Sequence, residues 1–200
     1  MSAVTLATVK AALPGYGGST DDTQLQTEID RAEAQVAAFC GWPSSDAGGR
    51  GFASATYTLH PSPSLTVPRL LPLPFAAASV TGAYVTETDT YDATTLVDPA
   101  DYTLTDDGLW ATATAWTRTP RGCRVVCVAG WASGSAPDTV EAAVVAQTLH
   151  RWRILRSGQG IASATQQGTS VQRDALVALP PLVQDMARLS PAYRWSVAIG

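Results

Sequence analysis

Few side chains in this sequence are of types that do chemistry, and their spacing limits the chemistry open to them. It holds two histidines and three cysteines. His60 precedes Pro61 in a proline-rich stretch and reads as a surface-loop residue. His150 lies between Leu149 and Arg151 in a helical pattern and reads as a packing or interface histidine. Neither has a metal-ligand spacing. Cys123 and Cys127 are four apart, which puts both on one face of an alternating strand. With Cys40, they read as reduced, buried thiols rather than a metal set. Gly15, Gly17 and Gly18 suggest a phosphate loop, but no Gly-Lys-Ser/Thr follows them. No Gly-x-Ser-x-Gly elbow is present for a serine hydrolase. Asp101, Asp106 and Asp107 could form paired carboxylates, but the neighbouring Gly108 makes them turn residues. Asp138 and Glu141 suit the positive end of a helix. Arg151, Arg153 and Arg156 point in different directions at 100° per residue. They read as ion-pairing groups for a neighbour's acidic surface or as solvated charges. These residues give no catalytic constellation, no metal site and no cofactor site, so the chain reads as something other than an enzyme.

The elements that position these residues follow from periodicity. Thr5 can cap a short helix with Leu6, Val9 and Leu13 on one side. Thr20 or Asp21 caps a second helix. There Leu25, Ile29, Ala32, Val36, Phe39 and Cys40 form one narrow stripe, opposite Glu28, Asp30, Arg31, Glu33 and Gln35. Gly41-Trp42-Pro43 ends this helix, and Ser44–Gly51 reads as a flexible polar loop. From Phe52 the period becomes two. Strands are expected from Tyr57 and Leu59, and over Ala78–Thr86, Asp101–Thr105, Leu109–Thr114 and Arg124–Trp131. Asp106-Asp107-Gly108 is a hairpin signal. His60–Pro74 holds five prolines, so it suits an extended edge segment.

The β run stops at Gly130. Pro137 then suits the first turn of a long helix reaching about Leu155. This helix carries adjacent apolar stripes: Val144, Thr148, Trp152 and Leu155 in one, Ala142, Val145 and Leu149 in the other. Two such stripes call for cover on two faces, one by the chain's own domain and one by a neighbouring subunit. Ser157–Thr169 is rich in small polar residues and reads as mobile. Leu179-Pro180-Pro181 opens a short helix through Leu189, and Pro191 ends it. In the final segment Trp195, Val197 and Ile199 alternate with polar or small residues, as in a strand with no assigned partner.

The expected fold class is α+β: a small helical bundle, made of N-terminal helices and a long C-terminal helix, with an antiparallel β insertion. Residues 1–51 and 132–200 make the helical part with its C-terminal tail, and 52–131 make the inserted β module, a small sheet or barrel. Two hundred residues can bury a real core. No signal peptide is evident and no apolar run approaches a membrane span. The net charge of −4 hides a gradient. Residues 1–116 hold four basic and thirteen acidic groups, and residues 117–200 hold nine basic and four acidic. Opposed charge favours head-to-tail contact between copies, or marks two solvated surfaces. The basic part is too sparse for a nucleic-acid binder.

The order of these elements resembles the head-to-tail adaptor (connector) proteins of tailed bacteriophages and gene transfer agents. The resemblance runs over about residues 1–190. It is carried by the Ala-rich helix end Ala32-Glu33-Ala34-Gln35-Val36-Ala37-Ala38-Phe39-Cys40-Gly41-Trp42 and by Leu71-Pro72-Leu73-Pro74 leading to Ala78-Ser79-Val80-Thr81. Asp101-Tyr102-Thr103-Leu104 follows with a Gly-Leu-Trp hairpin, then Val126-Cys127-Val128-Ala129-Gly130, then Pro137 and a helix bearing Ala142, Ala143, Trp152 and Arg153. The family position after Val128 is often aromatic, and here it is Ala129.

The resemblance implies a structural protein of the virion neck, made in the host cytoplasm and not in a membrane. It implies a homo-oligomeric ring, usually dodecameric, docked beneath the portal protein. The ring continues the DNA channel, with DNA passing without sequence-specific binding, towards a tail-side stopper or tail terminator protein. On this reading Val144, Val145, Leu149, Trp152, Arg153 and Arg156 form the subunit interface. Tyr193, Arg194, Trp195, Val197 and Ile199 dock on the portal. Asp89, Asp92, Asp106 and Asp107 line the channel. The competing expectation is a carbohydrate- or ligand-binding virion β module with helical flanks, which exposed tryptophans on the β insert would favour.

Overall fold

The computed structural model describes residues 2–13, 19–86, 95–112, 115–118, 122–156 and 180–188. It is an α+β fold. Helices α1 (Leu6–Ala11) and α2 (Asp22–Phe39) come first, and α3 (Asp138–Arg156) and α4 (Pro181–Arg188) come last. Every described strand lies between Ala55 and Ala129: β1 (Ala55–Leu59), β2 (Leu70–Pro72), β3 (Ala77–Val85), β4 (Thr95–Leu96), β5 (Tyr102–Thr105), β6 (Gly108–Ala111) and β7 (Cys123–Ala129).

The strands form two sheets rather than the single sheet or barrel expected. One has the order β1-β7-β3-β4 and the other β2-β6-β5, with all neighbours antiparallel. β2, which ends on Pro72, takes an edge, where a missing amide donor is tolerated. The hairpin between β5 and β6 turns at Asp106-Asp107, and Gly108 follows with φ 141°. A side chain at Gly108 would meet the Leu71 carbonyl oxygen at 2.2 Å. Gly130, which ends β7 at φ 95°, lies against the carbonyls of Phe52 and Ala53, and a Cβ there would come within 2.6 Å of both. That close approach lets Ala53 and Trp131 bridge the start and end of the β region.

The helices obey their local signals. Thr5 caps α1 by accepting from the Thr8 amide at 3.1 Å. Asp21 takes the cap position of α2 without a capping hydrogen bond, because its carboxylate pairs with Arg156 at the end of α3. The carbonyl of Pro137 accepts from Val140 and Glu141 as α3 begins. Leu25, Ile29, Ala32, Val36 and Cys40 are buried, so the expected stripe is the packing face.

Two expectations for α2 and its loop fail. Glu28 and Glu33, assigned to the solvent side, are each only 2% exposed. The Ser44–Gly51 loop is tied down along the outer edge of β1. The Asp46 amide donates to the Thr56 carbonyl at 3.0 Å, and its carboxylate accepts from the Thr58 amide at 2.7 Å and the Thr58 hydroxyl at 2.9 Å. A charged side chain there also blocks the edge against adding another strand.

One hydrophobic core runs through helices and sheets. At its centre Trp42 packs among Phe52, Tyr57, Phe75 and Trp131, with ring centroids 4.8–6.5 Å apart, and donates its indole N–H to the Tyr57 hydroxyl at 2.9 Å.

On β7, Cys123, Val125, Cys127 and Ala129 alternate inward, so the two cysteines do share a buried face. None of the three cysteines is in a disulfide, and all are buried. Burial pushes the Cys123 and Cys127 thiols up from 9.0 to about 11. A folded-state value above the unfolded one stabilises the fold fully below about pH 9, and that contribution is lost as pH rises towards 11. The native chain is therefore expected to resist thiol alkylation at pH 8 and to react at three sites once denatured. Stability measured by denaturant titration should fall between pH 9 and 11. Rapid native labelling of Cys127 at pH 8 would contradict this burial.

Candidate assembly surfaces

The helical surface is organised by a polar seam between α2 and α3. Asp21, Glu28 and Gln35 recur every seven residues, two helical turns, and so share one face of the α2 segment. Each meets a partner on the antiparallel α3. Asp21 pairs with Arg156, the Glu28 carboxylate takes the Arg151 Nε–H at 2.7 Å, and Gln147 Nε2 donates to Gln35 Oε1 at 2.8 Å. Arg31, one turn along, holds the other Glu28 oxygen at 2.7 Å. Arg151 is 7% exposed. Arg151, buried on Glu28, is thus not open to the neighbour's acidic surface expected for it, whereas Arg156 pairs within its own chain and stays 58% exposed. Arg156 also lies over the Trp152 ring, 5.0 Å from its centroid.

A second organising group is the Glu33 carboxylate. Oε2 accepts from the Ser2 hydroxyl and from the Ala3 amide at 3.0 Å. Oε1 accepts from the amides of Phe52 at 2.6 Å and Ala53 at 3.2 Å. One buried carboxylate thus joins the N-terminal segment, α2 and the entry to the β region. Charge-assisted bonds of this kind are the strong class.

The candidate interface residues divide sharply. Val144 and Trp152, 0% and 5% exposed, belong to the chain's own core and are unavailable to a neighbour. The cause is the seam, which draws their side of α3 onto α2. Val145 and Leu149 are half-buried and Arg153 is exposed. Val145 packs against the chain's own core, while Leu149 and Arg153, one turn apart, lie farther out on α3. Arg156 is exposed but engaged with Asp21 and Trp152.

Of the channel-lining candidates, Asp106 and Asp107 are exposed at the β5–β6 hairpin tip. Asp89 and Asp92 lie outside the described residues, as do Tyr193, Arg194, Trp195, Val197 and Ile199. On α4, Val183 is buried.

The tryptophans of the β region form no binding platform among the described residues. Trp116 is 6% exposed and spends its indole N–H on the carbonyls of Arg69 and Leu109. Trp131 stacks with Trp42 and Phe52, and Trp110 alone is substantially exposed, at 40%. Among the described residues no cluster of three His, Cys, Asp or Glu is placed to hold a metal ion, and no helix is long and apolar enough to cross a membrane.

The sequence pattern missed two kinds of residue. Glu28 and Glu33 were unreadable because their partners lie up to 123 residues away, although the Asp21–Glu28–Gln35 spacing was a usable signal. Exposed apolar residues in the β region, Leu65 and Leu96, gave no periodic signal.

Among the described residues the strands lie between packed helices. No protein-family model matches the sequence, and no curated protein matches it. Solved structures do share the fold. A chain in the virion of a native gene transfer agent particle aligns over 88% of this chain and 87% of that one, with a TM-score of 0.53 and 18% identity. A chain in the neck of an empty gene transfer agent particle, computed with C6 symmetry, aligns over 88% and 87%, with a TM-score of 0.51 and 17% identity.

Proposed function

We propose that this protein is a structural head-to-tail adaptor of a virion neck. Its copies form a ring beneath the portal, extend the DNA channel and attach the tail-side components. The observation that carries this reading is the fold shared, over most of both chains, with a chain of a gene transfer agent neck. The chain's own physics supports it. A closed ring needs a heterologous contact, hence two complementary faces on every copy. The side of α3 that carries Leu149 and Arg153, with half-buried Val145 at its edge, supplies one such face. The acidic and basic parts of the chain supply complementary charge. DNA must slide, and phosphate contacts bind tightly and with salt dependence. Exposed carboxylates such as Asp106 and Asp107 suit a lumen of that kind, and the described arginines of α3 are partly consumed in the seam.

The tail Tyr193–Gly200 is the proposed portal anchor. Trp195, Val197 and Ile199 fall two apart, so an extended chain presents them on one side. Such a peptide can add to a sheet edge. Burying these groups contributes a few kcal/mol per copy at about 25 cal/mol per Å2, multiplied in effect over a ring. Deleting residues 191–200 is expected to leave the fold intact, because the described core ends at Val183, and to abolish co-sedimentation with portal. A truncated chain that binds portal as well as the full chain would rule the tail out as anchor.

A further inference from the structure

We infer that the β region carries a second contact between copies: a leucine knob at the turn before β2 that seats in a separate groove, at the ends of β3, β4 and β6, of the next copy. The inference rests on the ring reading above and names a surface that reading leaves open.

The knob is the turn before β2. Leu65 is 85% exposed and Val67 36%. Apolar side chains so exposed usually belong to loose loops, yet this turn is built. The Ser64 amide donates to the Leu70 carbonyl at 3.0 Å, the Leu70 amide to the Val67 carbonyl at 2.9 Å, and the Val67 amide to the Ser64 hydroxyl at 3.1 Å. Arg118 donates to the Leu65 carbonyl at 3.5 Å. Pro61, Pro63 and Pro68 stiffen the flanks. An apolar group held ready in water loses little conformational freedom on binding.

The groove adjoins the ends of β3, β4 and β6. It holds about 470 Å3 and is of mixed polarity, lined by Val85, Leu96 and Trp116 together with Thr86, Asp98 and Asp101. Leu96 is 58% exposed. The segment 115–118 joins the two features: Trp116 lines the groove while Arg118 holds the knob. Leu65 does not fill its own chain's groove, as its exposure shows.

Charge selects the occupant. Exposed Arg69 and Arg118 flank the knob, and exposed Asp98 and Asp101 flank the groove. Basic residues beside the knob and acidic residues beside the groove are therefore complementary between two copies of the same sequence. Because knob and groove are different surfaces of one chain, the contact is heterologous, as a closing ring requires.

Two experiments on the full chain test this. In a Leu65→Cys/Leu96→Cys chain, mild oxidation should give a ladder of disulfide-linked copies, while each single variant stops at dimers. The native cysteines are buried and stay silent. Arg69→Asp or Asp101→Arg alone should raise the concentration for half-assembly at least ~10-fold, and a one-to-one mixture of the two should restore it, because alternating copies again meet opposite charges. Wild-type rings in native mass spectrometry without a ladder or mixing rescue overturn the knob-and-groove contact and leave the ring reading standing. A ladder without wild-type rings supports the contact and overturns the ring reading. Neither rings nor ladder overturns both.

Discussion

Replacing Glu33 with Ala is expected to cost about 4–6 kcal/mol, a large part of the 5–15 kcal/mol that stabilises a typical domain. The substitution removes the acceptor for three backbone amides and the Ser2 hydroxyl, all converging on a side chain 2% exposed. Each buried donor left without a partner costs roughly 1–3 kcal/mol. For a chain of this length the melting temperature should fall by more than ~10 °C. Glu33→Gln should lose less, because the amide keeps one carbonyl oxygen for one pair of donors and turns its NH2 on the other. Thermal unfolding followed by circular dichroism checks the order wild type, Gln, Ala. Equal loss in both variants would mean that charge, rather than acceptor count, holds the junction. A loss below ~1 kcal/mol in Ala would mean that water replaces the carboxylate.

The second large effect is expected at Arg151. Truncation to Ala leaves Glu28 buried with Arg31 as its recorded partner, and Arg31 is 61% exposed. Breaking a buried pair from one side costs about 3–5 kcal/mol. The lower end is expected here, because Arg31 still neutralises one oxygen. Replacing both groups with apolar residues, as in Glu28→Leu/Arg151→Met, removes the stranded charge and should recover most of the loss. Denaturant midpoints of the two single variants and the double variant give the coupling energy directly. A double variant as unstable as the two singles combined would show that the pair is not energetically coupled.

These two sites mark where sequence reading stops. Local signals placed the helices and most strands well, because capping, proline and alternation act within a few residues. Thr5 caps as expected, Asp106-Asp107-Gly108 turns as expected, and Cys123 and Cys127 face one way as expected. The short strand β4 and the split into two sheets were not legible, because they depend on pairings between distant segments. Glu33 looked like a surface residue because the groups that bury it, Ser2–Ala3 and Phe52–Ala53, are 19 to 31 positions away. Periodicity did show that α3 is apolar on adjacent sides. It does not show which side α2 claims, and the structure buries Val144 and Trp152 while Leu149 and Arg153 keep surface.

The central claim is ring assembly on a portal, and imaging tests it most directly. Purified full-length chain, mixed with isolated portal and viewed by cryo-electron microscopy, should form a closed ring coaxial with one end of the portal and continuous with its channel. Single copies in solution beside bare portals, or copies bound without rotational symmetry, would contradict the account.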